Sequence, residues 1–124
     1  MKNIIIAEDS SVIQNLTKKI LEIQNFKITS VKNGTEVLKA MDKADFDLIL
    51  MDINMPKMDG MDCAREIRKM TDPIKSHIPI LAITGNAKNY SIKDFKEVGI
   101  NEYIPKPLDF DLLVTKVKEY TTDK

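Results

Sequence analysis

The apolar positions of this chain fall into two rhythms that alternate from end to end. Short unbroken runs such as Ile4-Ile5-Ile6-Ala7, Leu48-Ile49-Leu50-Met51 and Ile80-Leu81-Ala82-Ile83 are separated by stretches with three- and four-residue spacing. An apolar run bounded by turn residues reads as a strand buried on both faces, as in a parallel sheet. Phe46-Asp47-Leu48-Ile49-Leu50-Met51-Asp52 is the strongest such run, and it is predicted to lie in the middle of the sheet. Asp52 then stands at a strand's carboxyl end, where open α/β sheets place their ligand crevice.

The remaining elements follow in order. Lys2 to Asp9 is a first strand ending in acid, and Ser10 and Ser11 can cap a helix with Ile13, Leu16, Ile20 and Ile23 inward. Asn25 ends that helix. Phe26 to Val31 alternates apolar and polar residues, which places it nearer an edge. Asn33-Gly34 is nominally a hairpin signal. Val37, Leu38 and Met41 have helical spacing instead, so the pair is predicted to be a strand-to-helix turn. A third helix after Gly60 turns Met61, Ala64 and Ile67 inward, and Thr71-Asp72-Pro73 is expected to break it. Ile78 to Gly85 is a fourth strand, with Pro79 tolerated near its start. A helix is predicted over Asn86 to Val98 with Gly99 as its stop. Asn101 to Ile104 is a short fifth strand, and a last helix carries Phe110, Leu113, Val117 and Tyr120. Parallel neighbours need helical crossovers, so five strands and five helices predict a doubly wound α/β domain over residues 1–124.

Composition narrows the function. The chain has 124 residues, with 19 Lys plus Arg against 19 Asp plus Glu. That balance gives no electrostatic case for binding nucleic acid or an anionic membrane. No apolar run reaches the length of a membrane span, and the start is too short for a signal peptide. Cys63 is the single cysteine and has no evident base beside it, while His77, the one histidine, offers no zinc set. A cytoplasmic domain is the expectation.

With all strands pointing one way, Glu8, Asp9, Asp52, Thr84 and Lys106 come to one edge. If the first and third strands are neighbours, about 5 Å apart, the three acids cluster. Such acids raise one another's pKa unless a cation neutralises them, and an all-oxygen set suits Mg²⁺. Three acids, a hard cation, a hydroxyl and a lysine are the parts needed to receive a phosphoryl group, with a carboxylate attacking in line.

Glu8-Asp9, the Asp52 loop with Met55-Pro56-Lys57-Met58-Asp59-Gly60, Thr84 and Lys106-Pro107 together resemble the receiver domain of two-component response regulators. The likeness covers essentially the whole chain and extends to chemotaxis-type stand-alone receivers and to hybrid-kinase receivers. It implies a flavodoxin-like fold of strand order 2-1-3-4-5, which spacing alone does not fix. It implies that Asp52 is the phosphoacceptor, taking a phosphoryl group from a histidine kinase or phosphotransfer protein. Asp9 and Asp52 would bind Mg²⁺ (or Mn²⁺) directly, Glu8 through water, and Asn54 through its backbone carbonyl. Thr84 and Lys106 would hold the phosphoryl group, and Tyr103 matches the aromatic that turns inward when Thr84 moves. The Lys106-Pro107 bond is expected to be cis. Gly85 departs from the family's more usual alanine, and Asn86 occupies a position that tunes phosphoryl lifetime. Output would be a switched protein contact, with dimerisation through the fourth helix, fifth strand and fifth helix. On this reading the chain is no enzyme beyond self-catalysed phosphotransfer and autodephosphorylation.

The rival from another class is a small Mg²⁺-dependent phosphohydrolase with Asp52 as nucleophile. Such enzymes usually carry a second acid two residues later as general acid. Asn54 stands there and cannot donate a proton in that way. A nucleotide- or flavin-binding role is weaker still, since no glycine-rich phosphate loop follows the first strand. Nothing in the residues decides between a stand-alone receiver and one cut from a longer regulator.

Overall fold

A computed structural model describes residues 1–85 and 91–122. Its strands are β1 (Asn3–Ala7), β2 (Lys27–Val31), β3 (Leu48–Asp52), β4 (Ile80–Thr84) and β5 (Glu102–Pro105). They form one parallel sheet of order β2-β1-β3-β4-β5. The helices are α1 (Ser11–Ile23), α2 (Gly34–Lys43), α3 (Gly60–Arg68), α4 (Pro73–Ser76), α5 (Ile92–Glu97) and α6 (Phe110–Thr121).

Successive strand residues point to opposite faces, and two cores result. Ile5, Ile49, Met51, Ile80 and Ala82 pack under α2, α3 and α5. Ile4, Ile6, Leu48, Leu50, Leu81 and Ile83 pack under α1 and α6. The central strand β3 is buried along its whole length, as the apolar run requires. The edge strand β2 leaves Lys27 and Ser30 exposed. Pairing of Ala7 with Met51 carries Glu8 up beside Asp52.

Two elements depart from the pattern. The first is α1, whose predicted inward stripe was Ile13, Leu16, Ile20 and Ile23. The helix instead buries Gln14, Thr17 and Leu21, leaving Leu16 46% and Ile23 76% exposed. Burying the two polar residues is tolerable because both are bonded: Thr17 Oγ1 donates to Ile13 O at 2.8 Å, and Gln14 donates to two carbonyls. The second is Thr71-Asp72-Pro73, which ends α3 as expected but also starts α4. Asp72 Oδ1 accepts from Ile74 N–H at 2.9 Å, and Pro73 takes the first helical position, where its missing N–H is no loss. The predicted fourth and fifth helices are thus α5 and α6. The helix expected over Asn86 to Val98 is described from Ile92 to Glu97, and residues 86–90, with Asn86 and Lys88, lie outside the described residues.

Gly60 fixes how α3 leaves the sheet. A Cβ there would stand 2.8 Å from Asp52 O and 2.9 Å from Ile53 Cα, so only glycine lets the helix start so close to the strand end.

Candidate functional site

The carboxyl edge of β1 and β3 brings three acids together. Glu8, Asp9 and Asp52 each offer a carboxylate oxygen, all within 4.8 Å of one another. Glu8 and Asp52 are buried and Asp9 is exposed. Lys106, just past β5, bridges the two buried acids, its Nζ 2.9 Å from Asp52 Oδ2 and 3.1 Å from Glu8 Oε1. The second contact is close but poorly aligned, so Glu8 Oε1 remains a buried oxygen without a hydrogen bond. Asp52 Oδ1 accepts from Asn54 N–H at 3.0 Å, which folds the loop after β3 back over the acid. Thr84 is buried at the end of β4, and its carbonyl accepts from Lys106 N–H at 2.8 Å.

The electrostatics follow from this crowding. Burial, then the hydrogen bond and negative charge of Asp52, push Glu8 up to about 7, against the opposing pull of Lys106 and Ser10 N–H. Burial alone would lower Lys106, but its contacts with Asp52 and Glu8 outweigh that and raise it. One ammonium therefore serves two carboxylates and leaves an oxygen unsatisfied. A hard divalent cation fits that donor set: the oxygens converge, they are all carboxylate, and one has an ion-pair contact but no hydrogen bond.

Two features frame the cluster. An apolar groove of about 590 Å³, lined by Val12, Ile13, Leu16, Pro107, Leu108 and Phe110 among others, opens beside Lys106. On the other flank the Tyr103 ring, 36% exposed, stacks on Phe95 with centroids 5.4 Å apart. The Lys106-Pro107 peptide is cis. Cys63 is buried in α3, and burial pushes its thiol up to about 12, so it is inert. His77 Nδ1 lies 2.8 Å from Pro73 O, an exposed helix-end contact.

The strand ends predicted Glu8, Asp9, Asp52, Thr84 and Lys106 at this edge and the family resemblance added Asn54; the structure groups them. Tyr103 stands apart on the neighbouring face. What the pattern missed is Gln14, whose buried amide reaches the backbone of Glu8. No periodicity signal marks a polar residue as inward, so only the register of α1 reveals it.

The match to known proteins agrees with this geometry. Residues 4–118 fit the family model described as the response regulator receiver domain. The chain is 35% identical over 116 residues to the CAI-1 autoinducer sensor kinase/phosphatase CqsS of Vibrio cholerae, covering 94% of this chain and 17% of that protein. It is 35% identical over 115 residues to chemotaxis protein CheY-3 of Vibrio cholerae, covering 92% of this chain and 87% of that one. The chain thus spans a small part of the first relative and most of the second. The crystal structure of the receiver domain of sensor histidine kinase PA1611 from Pseudomonas aeruginosa PAO1, with magnesium coordinated in its active-site cleft, superposes with a TM-score of 0.87. It is 28% identical, and 97% of each chain is covered. Receiver domains are signalling domains that bind Mg²⁺ in an acidic pocket and accept phosphoryl groups from histidine kinases or phosphotransfer proteins. By family match, fold and clustered acids, this chain belongs to the response regulator receiver domains of two-component signalling.

Proposed function

We propose that Asp52 accepts a phosphoryl group from a histidine kinase or phosphotransfer protein, and that residues 1–124 act as one receiver whose partner contacts change on phosphorylation. The observation that supports this most is the convergence on Asp52 of two further acids and one lysine at the sheet's carboxyl edge. A carboxylate oxygen of Asp52 attacks phosphorus in line, the donor's P–N bond breaks, and an acyl phosphate forms. Asp9, Asp52 and the Asn54 carbonyl would hold Mg²⁺ (or Mn²⁺), with Glu8 acting through water. The cation supplies charge neutralisation for the incoming phosphoryl oxygens. Lys106, already on Asp52, would shift to a phosphoryl oxygen, and the Thr84 hydroxyl would bond another. Both hold charge that is absent before transfer.

The groove beside Lys106 offers the donor an apolar docking face next to the reacting acid. Tyr103, outward and stacked on Phe95, supports a switch in which its ring turns inward as Thr84 engages the phosphoryl group. The face of α5, β5 and α6 would then change, and a phosphorylation-linked dimer through it belongs to the same reading. In autodephosphorylation water attacks the phosphorus in line, the bond to the Asp52 oxygen breaks, and inorganic phosphate leaves; the departing carboxylate needs no general acid, in keeping with Asn54 where a hydrolase would carry one. Balanced charge speaks against direct nucleic-acid contact. No helix among the described residues is long and apolar enough to cross a membrane, and a cytoplasmic setting completes the reading.

Acetyl phosphate with Mg²⁺ is expected to add about 80 Da to the wild type, the mass of one phosphoryl group, and nothing to Asp52→Asn. Label retained at full level in the variant, or mapped to another residue, sinks the assignment.

A further inference from the structure

Helix α1 turns a glutamine and a threonine to the sheet and gives three aliphatic side chains, Val12, Leu16 and Ile23, to solvent. Local preference lost to something, and such conflicts concentrate at functional sites. The bonds of Gln14 identify what won. Its Nε2 donates to Val31 O at 2.8 Å and to Glu8 O at 3.2 Å, so both amide hydrogens are used. Val31 O also accepts from Glu8 N–H at 3.0 Å. A closed triangle results, in which the N–H of Glu8 is held by the end of β2 and its C=O by α1. Gln14 is 7% exposed as a residue, and both hydrogen bonds of its amide are buried.

The peptide plane makes this matter for the site. The carbonyl of Glu8 and the nitrogen of Asp9 belong to one rigid unit, so fixing the oxygen fixes where Asp9 leaves the strand. Asp9 is the exposed member of the acid trio, on a segment otherwise tied by Ser10, which caps α1 at 3.4 Å and whose N–H reaches Glu8 Oε2 at 3.3 Å. Both latter contacts are long, and the backbone bond from Gln14 N–H to Ser10 O at 2.9 Å ties Ser10 only beyond Asp9. Gln14 Nε2 reaches the Glu8 carbonyl itself at 3.2 Å and is anchored by its short bond to Val31 O at 2.8 Å.

We infer that Gln14 is a positioning residue for the divalent-cation site, aiming the Asp9 carboxylate through the Glu8–Asp9 peptide. The inference rests on the reading that Glu8, Asp9 and Asp52 hold Mg²⁺, and it adds a residue outside that set. Groups that orient ligands without touching the metal typically change affinity 10–100-fold when removed. The side-chain hydrogen bonds of Gln14 go to Glu8 O and Val31 O and not to Asp52 or Lys106, so the intrinsic transfer step has no reason to change.

The test is MgCl₂ titration by calorimetry on the wild type, Gln14→Leu and Gln14→Met, with thermal melts of each. Leu and Met keep the volume and lose the donor. The expected result is about tenfold weaker Mg²⁺ binding in both variants. Acetyl phosphate labelling should need about tenfold more Mg²⁺ for half-maximal rate, with the rate at saturating Mg²⁺ unchanged. A lowered melting temperature with unchanged Mg²⁺ affinity in a folded Leu or Met variant overturns the inference and leaves Gln14 a packing residue. Absence of any Mg²⁺ heat in the wild type would instead overturn the reading of the acid site itself.

Discussion

Two partly buried cations stand at opposite edges of the sheet, and they solve the same problem differently. Lys106, at the carboxyl edge, is shared between the carboxylates of Asp52 and Glu8 and leaves one acid oxygen without a hydrogen bond. Arg68, at the end of α3 and the amino edge of β4 and β5, donates to the carbonyls of Ser76, Ile78 and Gly99 and to Asn101 Oδ1. Every one of those acceptors is neutral. Burial pulls the Arg68 guanidinium below its usual value, and its planar fork spends its donors on geometry. A saturated cation holds a fold in place. An undersaturated cluster is poised to take in another charge. The contrast separates structure from function along one sheet, and it can be broken by substitution.

Arg68→Met carries the largest expected effect. Removing the fork strands three carbonyls between α4, the entry to β4 and the turn after α5, at about 1 kcal/mol or more each. The loss should come to about 3 kcal/mol by urea unfolding, and Mg²⁺ affinity and labelling by acetyl phosphate at low temperature should stay at wild-type level. Arg68→Lys should recover little, because an ammonium cannot span these acceptors. A drop in Mg²⁺ affinity in folded Arg68→Met would show that the two edges are coupled and erase the distinction.

Lys106→Met probes the other side and should move two quantities in opposite directions. Mg²⁺ should bind a few-fold more tightly, because an ammonium no longer competes for the Glu8 and Asp52 oxygens. Labelling by acetyl phosphate should nevertheless slow about thirtyfold, about 2 kcal/mol of lost stabilisation of the transferring group. Weaker Mg²⁺ binding in this variant would mean that Lys106 organises the acids and does not rival the cation.

The same contrast explains what the sequence could disclose. β1, β3 and β4 announce themselves because burial on both faces demands unbroken apolar runs, and acids at their ends then mark one edge. The neighbourhood of β1 and β3, which makes Glu8, Asp9 and Asp52 a cluster, is a property of strand order that spacing does not carry. Arg68 was illegible for a different reason: three of its four acceptors are backbone carbonyls, in the two segments around residues 76–78 and 99–101, and backbone atoms leave no trace in residue identity. α1 misled because periodicity counts apolar residues only, whereas its rotation is set by the two carbonyls that Gln14 satisfies. α4 was legible in principle, since Asp72 before Pro73 is a helix start as well as a break.

The smallest expected effect lies in the pH dependence of the unliganded protein. Glu8 holds its proton up to about 7 when folded, against 4.5 for an ordinary glutamate. Between those values the folded state binds a proton that the unfolded state has released, so stability falls as pH rises through that window and levels off above it. Lys106 does not blur the signal, because its raised pKa acts above 10.5. The full displacement, which already includes the opposing contact with Lys106, sets a ceiling of about 3 kcal/mol, and screening by solvent should leave about 1 kcal/mol to measure. Glu8→Gln, which keeps the neutral shape, should flatten the profile and make the metal-free protein about 1 kcal/mol more stable at pH 8. Saturating Mg²⁺ should reverse that ranking, because ionised Glu8 then gains a counter-charge that glutamine cannot use. A profile identical in the two proteins, with and without Mg²⁺, would return Glu8 to the same class as Arg68: a buried charge already satisfied by the fold.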